Sequence, residues 1–162
     1  MPKSFSSELA FRSRRRRLLW LLAVLLVGVS WSTARRAVAG EHPADFRMVV
    51  HKGNPMSSAS REFLTDVFLK RVSQWNGGET IHPVDQRPNS SVRKSFSENV
   101  LKRSVAAVRS YWQQRIFSGR DVPPPELDSD DAVVSYVGSH PGAVGYVSVG
   151  AKLGEARELT ID

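Results

Sequence analysis

The sequence contains no cysteine. That excludes a disulfide framework, a thiolate metal site and a lipid-modified cysteine at an export cleavage point. Its four histidines, His42, His51, His82 and His140, never place two on one helix face, so no metal motif can be built from them. No G-x-S-x-G, H-E-x-x-H or P-loop pattern occurs. Asp128-Ser-Asp130-Asp131 opens like a calcium loop but lacks the central glycine and the terminal bidentate glutamate, so helix capping accounts for it. Without a nucleophile set against a base, the chain reads as a non-enzyme with no cofactor.

Positive charge is plentiful only at one end. The formal charge of the 162 residues is +7. Residues 1–39 hold eight bases and one acid, which leaves 15 bases and 15 acids, and no net charge, for residues 40–162. A nucleic-acid partner therefore loses its main support. Long apolar runs are equally scarce. The basic cluster Arg12 to Arg17 precedes a 12-residue run, Leu18 to Val29, and Ala37-Val38-Ala39 offers a small-x-small site before Gly40. This three-part build predicts a secretory signal over 1–39, with an uncleaved anchor as the alternative. Arg15-Arg16-x-Leu18-Leu19 leaves a twin-arginine route open beside the general one. The expected product, residues 40–162, is periplasmic and large enough for one domain with one core.

Within that domain, Phe46 to His51 is β-rich and ends at Gly53-Asn54-Pro55. Ser57, Ser58 and Ser60 offer caps for a helix bearing Phe63, Leu64, Val67, Phe68 and Val72. Thr80 to Val84 predicts a short strand with Pro83 near an edge, and Asp85 to Ser90 is loop chemistry. Val92, Phe96 and Val100 recur every four residues, and Ser104 caps a longer helix with Val108, Tyr111, Trp112, Ile116 and Phe117. Core packing is the expectation for Trp75, Tyr111, Trp112 and Phe117. Pro123 to Pro125 keeps the chain extended. Asp128-Ser-Asp130 caps a helix that His140-Pro-Gly142 ends, Ala143 to Val147 reads as a strand, and Leu159 to Ile161 is expected to add an edge strand. Strands separated by helices indicate an α/β sheet flanked by helices.

The junction from Gln86 to Arg93 carries the chemistry. A helix beginning there presents free N–H groups and the positive end of its dipole. Ser90 and Ser91 can add hydroxyl donors, and Arg93 or Arg87 a planar fork for oxyanion oxygens. The plainer alternative is that Ser90 is an N-cap and both arginines are solvated.

Three segments in order resemble the periplasmic phosphate-binding proteins, the substrate-binding subunits of phosphate ABC transporters. Val67-Phe-Leu-Lys-Arg-Val-Ser-Gln-Trp75 is similar to their "I-F-x-G-K-x-x-x-W". Val84-Asp-Gln-Arg-Pro-Asn-Ser-Ser-Val-Arg-Lys-Ser-Phe96 is similar to "R-x-x-G-S-G-T-R-x-x-F". Ala132 to Val137 with His140-Pro-Gly-Ala-Val-Gly-Tyr-Val147 is similar to "V-x-x-x-P-G-A-I-G-Y-V". The resemblance implies one lobe of a type 2 periplasmic-binding-protein fold, since the family is a two-lobed clamshell of about twice this size. It aligns Ser90 with a ligand serine, Ser91 with a glycine, Val92 with a ligand threonine and Gln86 with a ligand arginine, beside Arg87. Lys70 stands where the family has glycine. The function implied is phosphate or oxyanion binding by Ser90, Ser91 and the N–H groups of Val92 and Arg93, with Arg93 or Arg87 neutralising charge. Partners implied are an ABC permease or an envelope sensor, and a homodimer could close the half-cleft. The rival expectation is a ligand-free lobe that docks a receptor or membrane-protein domain.

Overall fold

A computed structural model describes residues 45–162; the expected signal segment and its Ala39–Gly40 cleavage site lie outside the described residues. Strand β1 (Phe46–His51) is the centre of the sheet, hydrogen-bonded antiparallel to β6 (Ala143–Ser148) on one side and β7 (Ala156–Ile161) on the other. Two-residue strands complete it. β2 (Ser58–Ala59) runs parallel to β7, and β3 (His82–Pro83) runs parallel to β6, giving the order β2-β7-β1-β6-β3. Pro83 thus sits on an edge strand, where its missing donor costs no ladder bond. β7 does not: the expected edge strand at the C-terminus lies between β2 and β1. Leu159 is buried because this position gives its strand a neighbour on both sides.

Side chains alternate across a strand, and here both faces are covered. Met48 and Val50 of β1 join Val144 and Tyr146 of β6 in one core, while Val49 joins Ala143 and Val147 in another. That explains the unalternating apolar stretches Met48 to Val50 and Ala143 to Val147. The first core is closed by α1 (Arg61–Phe68), α2 (Ser91–Asn99) and α3 (Val105–Phe117). The second is closed by α4 (Asp130–Ser139), through Val133 and Val137. The result is helices on both faces of a mixed sheet. A second small sheet pairs β4 (Asp85–Gln86) with β5 (Glu126–Leu127) in parallel.

Each of these four helices begins on a serine. Ser60, Ser90, Ser104 and Ser129 accept from the N–H groups of Phe63, Arg93, Ala107 and Ala132, each cap worth about 1 kcal/mol. Two glycines permit close approaches. A Cβ on Gly145 would lie 2.7 Å from Val133 Cγ1, so the glycine lets α4 settle on the sheet. Gly142, with φ of +78°, would bring a Cβ within 2.2 Å of the Thr80 carbonyl oxygen, and its own carbonyl accepts from Trp75 Nε1 at 3.0 Å.

Trp75 and Trp112 are buried and Tyr111 is half-buried, as expected of core aromatics. Phe117 is not: it is 90% exposed, with Ile116 at 48%. The reason is angular. At 100° per residue, Trp112 falls near the Val108 face of α3, whereas nine residues carry Phe117 about 180° around the axis.

Candidate functional site

The register of β4 against β5 sets Asp85 beside Glu126. A turn from Arg87 to Ser90, closed by Ser90 N–H donating to the Arg87 carbonyl at 3.0 Å, delivers the chain into α2. Gln86, Ser90 and Arg93 are brought together by that turn. The Ser90 hydroxyl donates to Gln86 Oε1 at 2.7 Å and accepts from the Arg93 N–H at 3.3 Å. Gln86 Nε2 donates to Asp130 Oδ1 at 2.8 Å and to the Tyr146 carbonyl at 3.0 Å. Asp130 also accepts from the backbone N–H and hydroxyl of Ser148. The residue standing where the resembling family has an arginine therefore ties β4 to α4 and β6.

Arg93 points inward. Its Nη2 lies 2.9 Å from Asp85 Oδ2 and its Nη1 3.0 Å from Glu126 Oε1, and Nη1 also donates to the Gln86 carbonyl. Its Nε is buried with no acceptor among the described residues. Asp85 Oδ1 accepts from Tyr146 Oη and from the Gln86 N–H. Burial pushes the Asp85 carboxyl up to about 6, against the lowering effects of Arg93 first and Tyr146 second. Burial and the Asp85 charge together push the Tyr146 phenol up. Tyr146 also stacks on Phe96 of α2, with ring centroids 4.0 Å apart and 10° between the planes. The network locks the start of α2 to β4, β5 and β6.

The outward side of the same junction is an open recess of about 350 Å³, bounded by Pro88, Asn89, Ser90, Ser91, Lys94 and Ser104, with Glu98 and Val105 at its rim. Ser91 and Val92 are the first two helical residues, so their N–H groups have no acceptor within α2. The Val92 side chain is buried in the core, and only its backbone can serve a ligand. Arg87 is exposed, its Nε 2.5 Å from Asp128 Oδ1. Of the residues expected to hold an anion, Ser90 and Ser91 thus border one recess. The guanidinium of Arg93 faces two carboxylates, its N–H is used by the cap, and Gln86 is engaged on both amide atoms.

Sequence reasoning missed Asp85, Glu126 and Tyr146, and also Lys94 and Ser104 on the recess wall. Tyr146 and Asp85 are 61 residues apart, and no local pattern couples a strand tyrosine to a residue read as loop. Lys94 was within reach, since it follows Arg93 in the first turn of the same helix. Among the described residues there is no group of three His, Cys, Asp or Glu side chains placed to hold a metal, and no helix long and apolar enough to cross a membrane.

No protein-family model matches the sequence, and no curated protein matches it. Solved structures do match in fold. An ABC-type phosphate transport receptor from Vibrio cholerae is similar with a TM-score of 0.55 at 19% identity. A phosphate ABC transporter substrate-binding protein with bound phosphate from Clostridium perfringens is similar at 0.58 and 18%. PstS from Borrelia burgdorferi is similar at 0.55 and 11%. Each match takes in 72% of this chain but only 45%, 44% and 47% of those chains, so this chain spans under half the length of the structures it resembles. The described domain, a mixed sheet with helices on both faces, shares the fold of part of each of those structures.

Proposed function

We propose that this chain is an exported, non-enzymatic oxyanion-binding lobe whose ligand is phosphate, acting with an ABC permease in uptake or with an envelope sensor. The observation that carries the reading is the recess at the start of α2, bordered by Ser90, Ser91 and Lys94, where the first N–H groups of the helix have no helical acceptor. Its support in the comparisons is a fold shared with proteins whose names state phosphate transport or bound phosphate.

Charge compensation falls to Arg87 rather than Arg93. The Arg87–Asp128 pair is exposed and screened by solvent, so Arg87 can exchange its partner for an anion at little cost. Pulling Arg93 from Asp85 and Glu126 would strand a buried carboxylate at about 3–5 kcal/mol, more than one new contact returns. Ser90 must likewise turn its proton from Gln86 toward the ligand. A half-cleft whose wall includes Lys94, and whose neighbouring Arg87 must first leave Asp128, binds weakly, with a dissociation constant of about 1 mM, or about 4 kcal/mol. A second copy or a separate lobe closing over the recess would tighten it.

The test is calorimetric titration of the chain with phosphate, with sulfate as control. Saturable, phosphate-preferring heat that is lost in Ser91→Ala and weakened in Arg87→Ala is the expected outcome. Absence of saturable heat up to about 10 mM phosphate, ten times the expected constant, refutes the reading.

A further inference from the structure

Three of the four large hydrophobic side chains exposed among the described residues fall within seven positions: Ile116, Phe117 and Val122 at 48%, 90% and 60%. The same stretch is cationic. Residues 102–120 contain Lys102, Arg103, Arg109, Arg115 and Arg120 and no acid, whereas residues 40–162 taken together carry no net charge. Arg103 and Arg115 lean over the Tyr111 ring, each 5.6 Å from its centroid. Arg109 is exposed and has no side-chain partner among the described residues.

Beside this surface lies a mainly apolar groove of about 330 Å³ between α3 and the prolines Pro88 and Pro123. Val105, Arg109, Trp112 and Ile116 line it from α3. Their spacing of four, three and four puts them on one face, over about 16 Å of helix. Buried Arg93, with its Nε lacking an acceptor, forms part of the wall.

A concave apolar strip along three helical turns, with the unpaired Arg109 on its wall and its one carboxylate, Glu126, already paired with Arg93, is the counterpart of a peptide that carries apolar anchors among acidic residues. We propose that this groove docks an acidic segment of a partner protein. A leucine- or phenylalanine-sized side chain would seat against Trp112 and Ile116, and Asp or Glu side chains would pair with Arg109 and the cations beyond it. The concavity favours a peptide over a lipid surface, because a flat bilayer would meet Phe117 yet leave the groove unfilled. The proposal does not depend on whether phosphate binds at Ser91.

The test is selection of random dodecapeptides displayed on phage against the full chain, followed by fluorescence anisotropy with the enriched peptides. The expected winners carry at least two large apolar residues flanked by Asp or Glu. Their binding weakens about tenfold or more in Arg109→Glu and in Ile116→Asp, and falls as salt is raised, the mark of charge pairing at an exposed rim. Both positions are exposed, and unchanged circular dichroism separates lost docking from lost folding. Enrichment of neutral or basic peptides overturns the proposal, as does binding indifferent to both substitutions. Binding to phosphatidylglycerol vesicles without any acidic-peptide preference overturns it in favour of a membrane surface, and self-association abolished by Ile116→Asp does so in favour of a second copy.

Discussion

The substitution Arg93→Met tests the buried network most directly, because its cost should depend on pH in a calculable way. The Asp85 carboxyl is raised from 3.8 to about 6, so the fold favours its protonated form. That contribution is full below pH 3.8 and is lost as pH rises through about 6. At pH 8 the intact protein holds the ionised carboxylate at a cost of about 3 kcal/mol, which is 2.2 pH units at 1.36 kcal/mol each. Without Arg93 the carboxylate is pushed higher still, and the limit is a carboxyl that stays protonated in the fold. Keeping it protonated at pH 8 costs roughly twice as much, so the substitution should add up to about 3 kcal/mol there. At pH 5 Asp85 is already mostly protonated in the intact protein, and the added cost falls to nearly zero. A further loss, from the bond to the Gln86 carbonyl and from packing, is independent of pH. Urea unfolding followed by circular dichroism at both pH values measures the difference. A destabilisation equal at pH 5 and pH 8, or larger at pH 5, would refute the assignment of Arg93 as the counter-charge of Asp85.

Two further outcomes follow from the same geometry. Tyr146→Phe keeps the stack on Phe96 but removes the hydroxyl from Asp85 Oδ1. Thermal denaturation should show a loss of about 1–3 kcal/mol, larger at pH 8 than at pH 5 because an ionised Asp85 then lacks a donor; a neutral effect at pH 8 would show that water replaces the phenol. Gly142→Ala places a methyl 2.2 Å from the Thr80 carbonyl at a positive φ. It should cost more than the roughly 1 kcal/mol of backbone strain alone, and release of Trp75 should shift its fluorescence. An alanine variant as stable as the parent would mean that the turn readily opens.

The Ser104 cap, the cap within Asp128-Ser-Asp130, the existence of strands at 46–51 and 143–147 and the helix stop at His140 were legible because each is a local effect. A cap needs only the hydroxyl and the amide three residues on, and a strand needs only a short run of β-favouring residues bounded by turn residues. The place of β7 was not legible. Whether β7 lies on an edge or in the interior depends on Ser58 and Ala59 pairing with its Thr160 and Ile161 from a hundred residues away. Phe117 was misjudged as core for a related reason: periodicity finds an apolar stripe, but only a packed helix shows which of two faces meets the sheet.

The candidate site divides along the same line. Sequence alone placed Ser90 at a helix start with Ser91, Arg87 and Arg93 close by, because helix N-terminal chemistry is written within four residues. It left open whether those arginines face an anion or solvent, and the tertiary structure answers with carboxylates. Arg93 turns inward because Asp85 and Glu126 arrive through β4 and β5 and leave it in a desolvated pocket where two charge-assisted bonds outweigh any exposed contact. Charge pairing of that kind joins residues by their distance in space. The sequence determined which groups could bind; the fold decided which of them remain free to do so.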